Sequence, residues 1–270
     1  MAVLGIGIVT YERRSLLEPL IAGVLELTNS PHELVVAEDG GDDGSAEWAS
    51  EQGLRVVSGS NRGVAWNKNR ALFALAALGC DPLVLLEDDA FPVIPGWEGD
   101  WIDGTRAWDH LACDPKVNRH VVSGAGTPAD PFVSPAATGF CMSVSAKVLD
   151  LVGYFDSRFR GYGHEHSEWT TRIKRSGYGF RPITLPDGRP FKAQLFLTGG
   201  LALVKAKSTG NQAQARANRE LERQIAGEPV FRRPWRTSEE RASFLAEQAA
   251  AEIDGASLAA KLDAITPPGA

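Results

Sequence analysis

The chain has 270 residues, 43% of them apolar and 23% charged, which is ordinary globular composition and excludes a largely disordered polymer. A net charge of −6 excludes wholesale nucleic-acid binding driven by counterion release. Three dispersed cysteines, Cys80, Cys113 and Cys141, form no CxxC, and the short apolar run near the start has no basic flank; neither a disulfide framework nor a membrane span is indicated, and a cytoplasmic location is expected.

In chain order, residues 3–9 predict a buried strand. Ser15 and Glu18 have capping-box spacing and predict a helix to about Leu27, with Pro19 in its first turn. Strand 34–37, helix 45–52, strand 54–57, helix 65–78 stopped by Gly79, and strand 82–86 follow. This alternation predicts a mainly parallel sheet covered on both faces. Residues 97–111 read as helix, 121–134 as loop, 140–144 as strand, 146–152 and 164–176 as helices. Beyond about Gly199 the composition shifts to polar and Ala-rich helices, 211–225 and 238–264, with a frayed end from Thr266.

Ligands of open α/β sheets bind beyond the carboxyl ends of the strands. Three such ends carry polar residues: Thr10-Tyr11-Glu12, the acidic loop from Glu38 to Asp43, and Glu87-Asp88-Asp89. Adjacent carboxylates on one rim repel unless neutralised, and a hard divalent cation shared with substrate phosphates is the economical neutraliser. The turn Asn61-Arg62-Gly63 opens a helix and suits an anion. Residues 161–172 hold two of five histidines at a Gly-rich helix entrance, His164 and His166, around Glu165. A dinucleotide fingerprint, a P-loop, HExxH and GxSxG are all absent.

These segments, in order, resemble family 2 glycosyltransferases of the GT-A fold over roughly residues 3–181. "IVTYER" is similar to the family's opening strand, with Glu12 where Asn is common. "VVAEDGGDDGS" resembles its nucleotide loop, and "NRGVAWNKN" its NxGxAxxRN run, with Lys68 at the usual Arg. "LVLLEDDAFP" resembles the DxD-type metal motif, "ATGFCMSVSAKVLDLVGYFDSRF" the donor-sugar stretch, and "GYGHEHSEWTTR" the G-W-G-x-E-D run. The resemblance implies an α/β GT-A domain, residues 1–204, of mainly parallel twisted sheet flanked by helices, with a helical extension, 205–270. It implies a nucleotide diphosphate sugar as donor and Mn2+ or Mg2+ as cofactor. Asp39 would bond the nucleotide base beside Thr10 and Glu12, and Arg62 and Lys68 would face the nucleotide or diphosphate. Asp88 would touch ribose or sugar, Asp89 would ligate the metal, Thr138 and Gly139 would underlie the donor sugar, and Glu165 would meet sugar hydroxyls.

Two positions depart from the family pattern. His166 stands at the usual catalytic Asp, and no histidine follows it; Lys205 and Lys207 occupy the region of the usual metal-binding His. His166 is therefore read as the base of an inverting transfer, or as a metal ligand with Glu165 as base. Residues 205–236 carry a net +5, read as an acceptor surface or a flap over the diphosphate. The acceptor itself, whether glycan, protein, lipid-linked glycan or modified nucleic acid, is not specified. Alternatives are a sugar-1-phosphate nucleotidyltransferase and a catalytically inactive glycan- or nucleotide-binding module.

Overall fold

The computed structural model describes residues 3–113, 120–204 and 211–265. Its main sheet has nine strands. The N-terminal half is parallel, in the order β3 (Arg55–Ser58), β2 (His32–Glu38), β1 (Leu4–Thr10), β4 (Leu83–Glu87). Beyond β4 the order continues through β8 (Cys141–Val144), β6 (His110–Cys113), β10 (Pro190–Leu197) and β7 (Phe132–Ser134), with β9 (Phe180–Thr184) also on β10. In this second half only the β6–β10 pair is parallel. A small hairpin-like pair, β5 (Ala90–Pro92) with β11 (Leu201–Leu203), stands apart from the sheet.

Helices cover both faces. On one side α1 (Arg14–Leu27), α2 (Ser45–Glu51) and α4 (Glu98–Trp108) bury Leu17, Leu20, Ala49 and Trp101 against Ile6, Ile8, Val36 and Leu86. On the other lie α3 (Val64–Ala77), α5 (Ala146–Val152) and α6 (Glu165–Arg175), whose Trp66, Phe73, Val148 and Trp169 meet Val35, Ala37 and Leu85. Consecutive strand residues thus enter opposite cores, which is why the strands read as continuous apolar runs. Gly5 and Gly7 face α3. A Cβ on Gly5 would stand 2.8 Å from the Cys80 Cβ, and one on Gly7 2.9 Å from the Ala71 Cβ. These glycines let α3 lie close on β1, and α3 carries Asn67, Lys68 and Arg70, buried polar side chains at and beneath the strand ends.

The last helices, α7 (Gln212–Ile225), α8 (Ser238–Ala250) and α9 (Ala256–Ala264), share the α3-side core through Ile225, Phe244 and Leu262. Phe244 packs edge-on against Trp66 and Phe73, at 5.2 and 5.3 Å between ring centroids. Among the described residues no helix is long and apolar enough to cross a membrane.

Several sequence expectations need correction. The cap of α1 is tertiary: its N-terminal residue Arg14 donates its backbone N–H to the Asp43 carboxylate at 2.8 Å, and Ser15 makes no cap. Pro19 therefore lies in the second turn. The helix expected to reach Leu111 ends at Trp108, because Asp109 takes a left-handed conformation (φ 65°) and turns the chain into strand β6. Part of the expected loop 121–134 is strand β7. The single helix expected over 238–264 is two, separated by Glu252 at φ 58° and by Gly255. Residues 266–270, Lys205 and Lys207 lie outside the described residues.

Candidate active site

The carboxyl ends of β1, β2 and β4 open onto a cavity of about 710 Å³. Its walls include Thr10, Arg13, Asp39, Asn67 and Glu87-Asp88-Asp89. Gly161 and Tyr162 close one side; Leu203, Val204, Asn211 and Gln214 close another. The three polar strand ends read from the sequence converge through Thr10, Asp39 and Glu87-Asp88-Asp89.

Their roles separate on contact. Asp88 is buried and doubly held: Thr10 Oγ1 donates to its Oδ2 at 2.9 Å, and Arg13 Nη1 pairs with its Oδ1 at 2.7 Å. Burial nevertheless pushes its carboxyl above the usual range. Asp39 is equally enclosed. Its Oδ1 accepts from the Arg62 backbone N–H at 3.0 Å and from Arg70 Nη1 at 2.9 Å, and its Oδ2 from the Gly63 N–H at 2.8 Å. Here too burial outweighs the donors and raises the carboxyl. Glu38 beside it is spent on its own loop, accepting from the N–H groups of Gly40 and Gly41.

Asp89 is different. Its Oδ1 is buried without any hydrogen-bond partner. Burial first, and then the charges of Glu87 and Asp88, raise its carboxyl to about 6. A buried carboxylate oxygen with no donor, flanked by two further acids, fits a hard divalent cation whose remaining ligands come from a substrate. It is not a preformed cage. Among the described residues, no three His, Cys, Asp or Glu side chains gather to hold a metal ion.

Other expected site residues sit elsewhere. Lys68 is fully buried beneath the cavity, its Nζ 2.8 Å from Glu87 Oε1 and 3.4 Å from Glu165 Oε1, and it does not line the cavity. Burial works against its charge, but the two carboxylates hold the ammonium above its ordinary value. Glu165 reciprocates. Burial alone would raise it, yet Lys68 and then His166 hold it well below the usual range. Such a locked carboxylate makes a poor base, so Glu165 does not suit the base role. Arg62 turns away from the cavity: its guanidinium lies 3.6 Å over the Trp66 ring and 3.2 Å from Glu240 Oε1 on α8. Only its backbone serves the site, through Asp39.

Glu12 is exposed and lies outside the cavity lining, with φ 50°, a conformation that Asn tolerates better than Glu. Its neighbour Tyr11 lines the cavity instead. Thr138 donates to the Cys113 carbonyl at 2.9 Å. Gly139 accepts from Lys68 at 3.3 Å, and a Cβ there would stand 2.9 Å from His166 Cγ. Gly139 is thus the seat of the His166 ring, and its successor Phe140 lines the cavity. His166 Nδ1 lies 3.3 Å from Glu165 Oε1. That partner, rather than Asp89, is what the structure gives it, which leaves the expectation of a metal ligand without support. His164, at φ 71°, is tied to Glu222 of α7 at 2.7 Å.

Sequence reasoning passed over Arg13 and Arg70. Both follow motif residues directly, Arg13 after Glu12 and Arg70 after Asn69, and a charge within a helix whose other positions are nearly all buried was the available signal for Arg70. Two cations of the basic segment before Arg236 are consumed internally. Arg232 pairs with Asp156 and Glu228, and Arg233 donates to the carbonyls of Leu262, Asp263 and Ile265.

Residues 6–90 match the family model described as Glycosyl transferase family 2. The fold recurs in solved glycosyltransferases. The fold is GT-A. One such relative is GalNAc-T7, crystallised with UDP, GalNAc and Mn2+, at 14% identity and a TM-score of 0.60 over 82% of this chain and 48% of that one. Another is the mannosyltransferase PcManGT from Pyrobaculum calidifontis, in complex with GDP-Man and Mn2+, at 18% identity and a TM-score of 0.53 over 98% and 76% of the two chains. The chain therefore spans about half the length of GalNAc-T7. No curated protein matches the sequence. The segment that matches the family model ends at Ala90, just past Asp89, so it contains Thr10, Asp39 and Glu87-Asp88-Asp89 of the cavity but not the His166 region.

Proposed function

We propose that the chain transfers a sugar from a nucleotide diphosphate sugar to an acceptor hydroxyl, with a divalent cation, Mn2+ or Mg2+, at Asp89. The observation that carries this reading is the partnerless, buried Asp89 oxygen in an acidic cavity at the strand ends. GalNAc-T7 with UDP and Mn2+, and PcManGT with GDP-Man and Mn2+, support the same class of donor and metal.

The wall residues then have tasks, as do Lys68 and His166, which stand outside the cavity lining, His166 against Gly139 next to the lining residue Phe140. Asp39 Oδ2 accepts one protein hydrogen bond and retains acceptor capacity for a base N–H. Asp88, fixed by Thr10 and Arg13, offers a rigid acceptor to ribose or sugar hydroxyls. A bound cation would supply positive charge against the leaving diphosphate. Lys68 pairs with both Glu87 and Glu165 under the floor. His166 is the proposed base: with Nδ1–H donated to Glu165, Nε2 carries the lone pair that takes the acceptor's proton. The acceptor oxygen, giving its proton to His166, would bond to the anomeric carbon on the face opposite the diphosphate as the sugar–phosphate bond breaks, which makes the transfer inverting.

Incubation with UDP- and GDP-sugars and Mn2+ tests this. Release of nucleoside diphosphate supports the transferase. Release of pyrophosphate from a nucleoside triphosphate and sugar phosphate would instead mark a nucleotidyltransferase. One observation favours an inactive binding module: the acid that follows Gly163 and His164, Glu165, is locked to Lys68. Tight donor binding with neither product would establish that reading.

A further inference from the structure

Resting on the donor-site reading above, we propose that Glu247 of helix α8 is a positioning residue for nucleotide binding, acting through Arg70 on Asp39. The two residues are far apart in sequence and meet around one buried guanidinium. Arg70 is wholly enclosed. Toward the cavity its Nη1 donates to Asp39 Oδ1 at 2.9 Å and to the Glu38 carbonyl at 3.2 Å. Toward α8 its Nε and Nη2 donate to the two Glu247 oxygens at 3.0 and 3.2 Å. Nη2 also reaches the Ser60 carbonyl at 3.0 Å. The guanidinium is planar and its donors are fixed relative to one another, so the carboxylate on one edge sets the angle at which the other edge meets Asp39.

The surroundings are shaped to this relay. Trp66 Nε1 donates to Glu247 Oε2 at 3.0 Å, which fixes the carboxylate as well as the guanidinium. Gly59 leaves the space Glu247 occupies: a Cβ there would stand 2.4 Å from Oε1. Gln248, the next residue of α8, donates its Nε2–H to the Arg70 carbonyl at 3.1 Å, so helix α8 holds both the backbone and the side chain of Arg70. Asp39 lines the cavity, whereas Arg70 and Glu247 do not. Neither touches a ligand there; they act on the carboxylate that does.

Charge makes the same point. Asp39 and Glu247 share one cation. Removing Glu247 leaves two buried donors of Arg70 unsatisfied and frees the guanidinium to rotate toward its remaining carboxylate, shifting the oxygen that would meet the base.

The test is calorimetric titration of the full chain with uridine and guanosine diphosphates in Mn2+, for the wild type, Glu247→Gln, Glu247→Ala and Phe244→Leu. Phe244 lies on the same helix and packs its ring on Trp66 and Phe73; Leu keeps apolar contact there and changes no hydrogen-bonding group of Arg70, Asp39 or Glu247, so this variant lowers stability with those bonds in place. The expected result is a nucleotide Kd raised about tenfold in Glu247→Ala and by less in Glu247→Gln, with Phe244→Leu unchanged despite a lower Tm. An unchanged Kd in Glu247→Ala, or an equal rise in Phe244→Leu, overturns the relay and leaves the donor site standing. A wild type that binds neither nucleotide overturns the donor-site reading and the relay with it.

Discussion

Replacing Asp89 with Asn should stabilise the metal-free fold while abolishing its metal-dependent function. In the folded chain burial, and then the charges of Glu87 and Asp88, push the Asp89 carboxyl up to about 6 from its ordinary 3.8. A raised folded-state pKa means that the native state holds the proton more tightly than the unfolded chain. Stability relative to a neutral side chain is therefore lost as pH rises from the unfolded value through the folded one. Two pKa units correspond to about 3 kcal/mol, and since the group is only partly enclosed, solvent screening reduces this to about 1–2 kcal/mol at pH 8. Asp89→Asn should then gain about that much in urea unfolding at pH 8, with the advantage shrinking by about half at pH 5. Adding Mn2+ and a nucleoside diphosphate should reverse the ranking, since only the wild type gains binding free energy. A variant less stable than the wild type at pH 8 without metal would show that Asp89 has a satisfied structural role and would refute the reasoning.

Three further outcomes follow from the buried charges. Lys68→Met leaves Glu87 and Glu165 without their ammonium and should cost about 3–5 kcal/mol in chemical denaturation at pH 7; a loss under 1 kcal/mol would contradict the buried triad. His110 donates from Nδ1 to the Ser143 carbonyl and accepts at Nε2 from Thr170, and burial depresses it to about 4 from 6.5. The unfolded chain takes up this proton first, so wild-type stability should fall by about 2–3 kcal/mol between pH 6.5 and 4.5, a slope absent from His110→Gln. Equal slopes in the two proteins would place the imidazole in a more polar setting. His166→Ala should lose sugar transfer by about 100-fold or more while its Mn2+-dependent nucleotide Kd stays within about twofold of wild type; near-normal transfer removes His166 as the base.

How much of this could be read from the sequence depended on whether a feature was local. The strand-end acids, Asp39 and Glu87-Asp88-Asp89, were legible because parallel strands with two buried faces must turn their polar ends to one rim. Helix α5 was read to the residue, with Ser145 capping it from just outside. What failed was set by partners distant in sequence. The start of α1 is fixed by Asp43, the guanidinium of Arg62 by Glu240, and the ammonium of Lys68 by Glu165. No local pattern distinguishes a cation that reaches a phosphate from one that neutralises a buried acid. Nor does spacing reveal that Asp88 is spent on Arg13 while Asp89 is left open. The apolar stretch His110-Leu111-Ala112-Cys113 extends helical periodicity from Trp101 and Trp108, and only the left-handed turn at Asp109 makes it a strand.

The central claim is that the acidic GT-A cavity is a metal-assisted donor site. Calorimetric titration of the wild-type chain with nucleoside diphosphates, run with Mn2+ and again with excess chelator, tests it most directly. Micromolar binding of at least one nucleoside diphosphate with Mn2+ is expected, lost on chelation and lost in Asp89→Asn. Binding of equal strength with chelator present, or in Asp89→Asn, would contradict it.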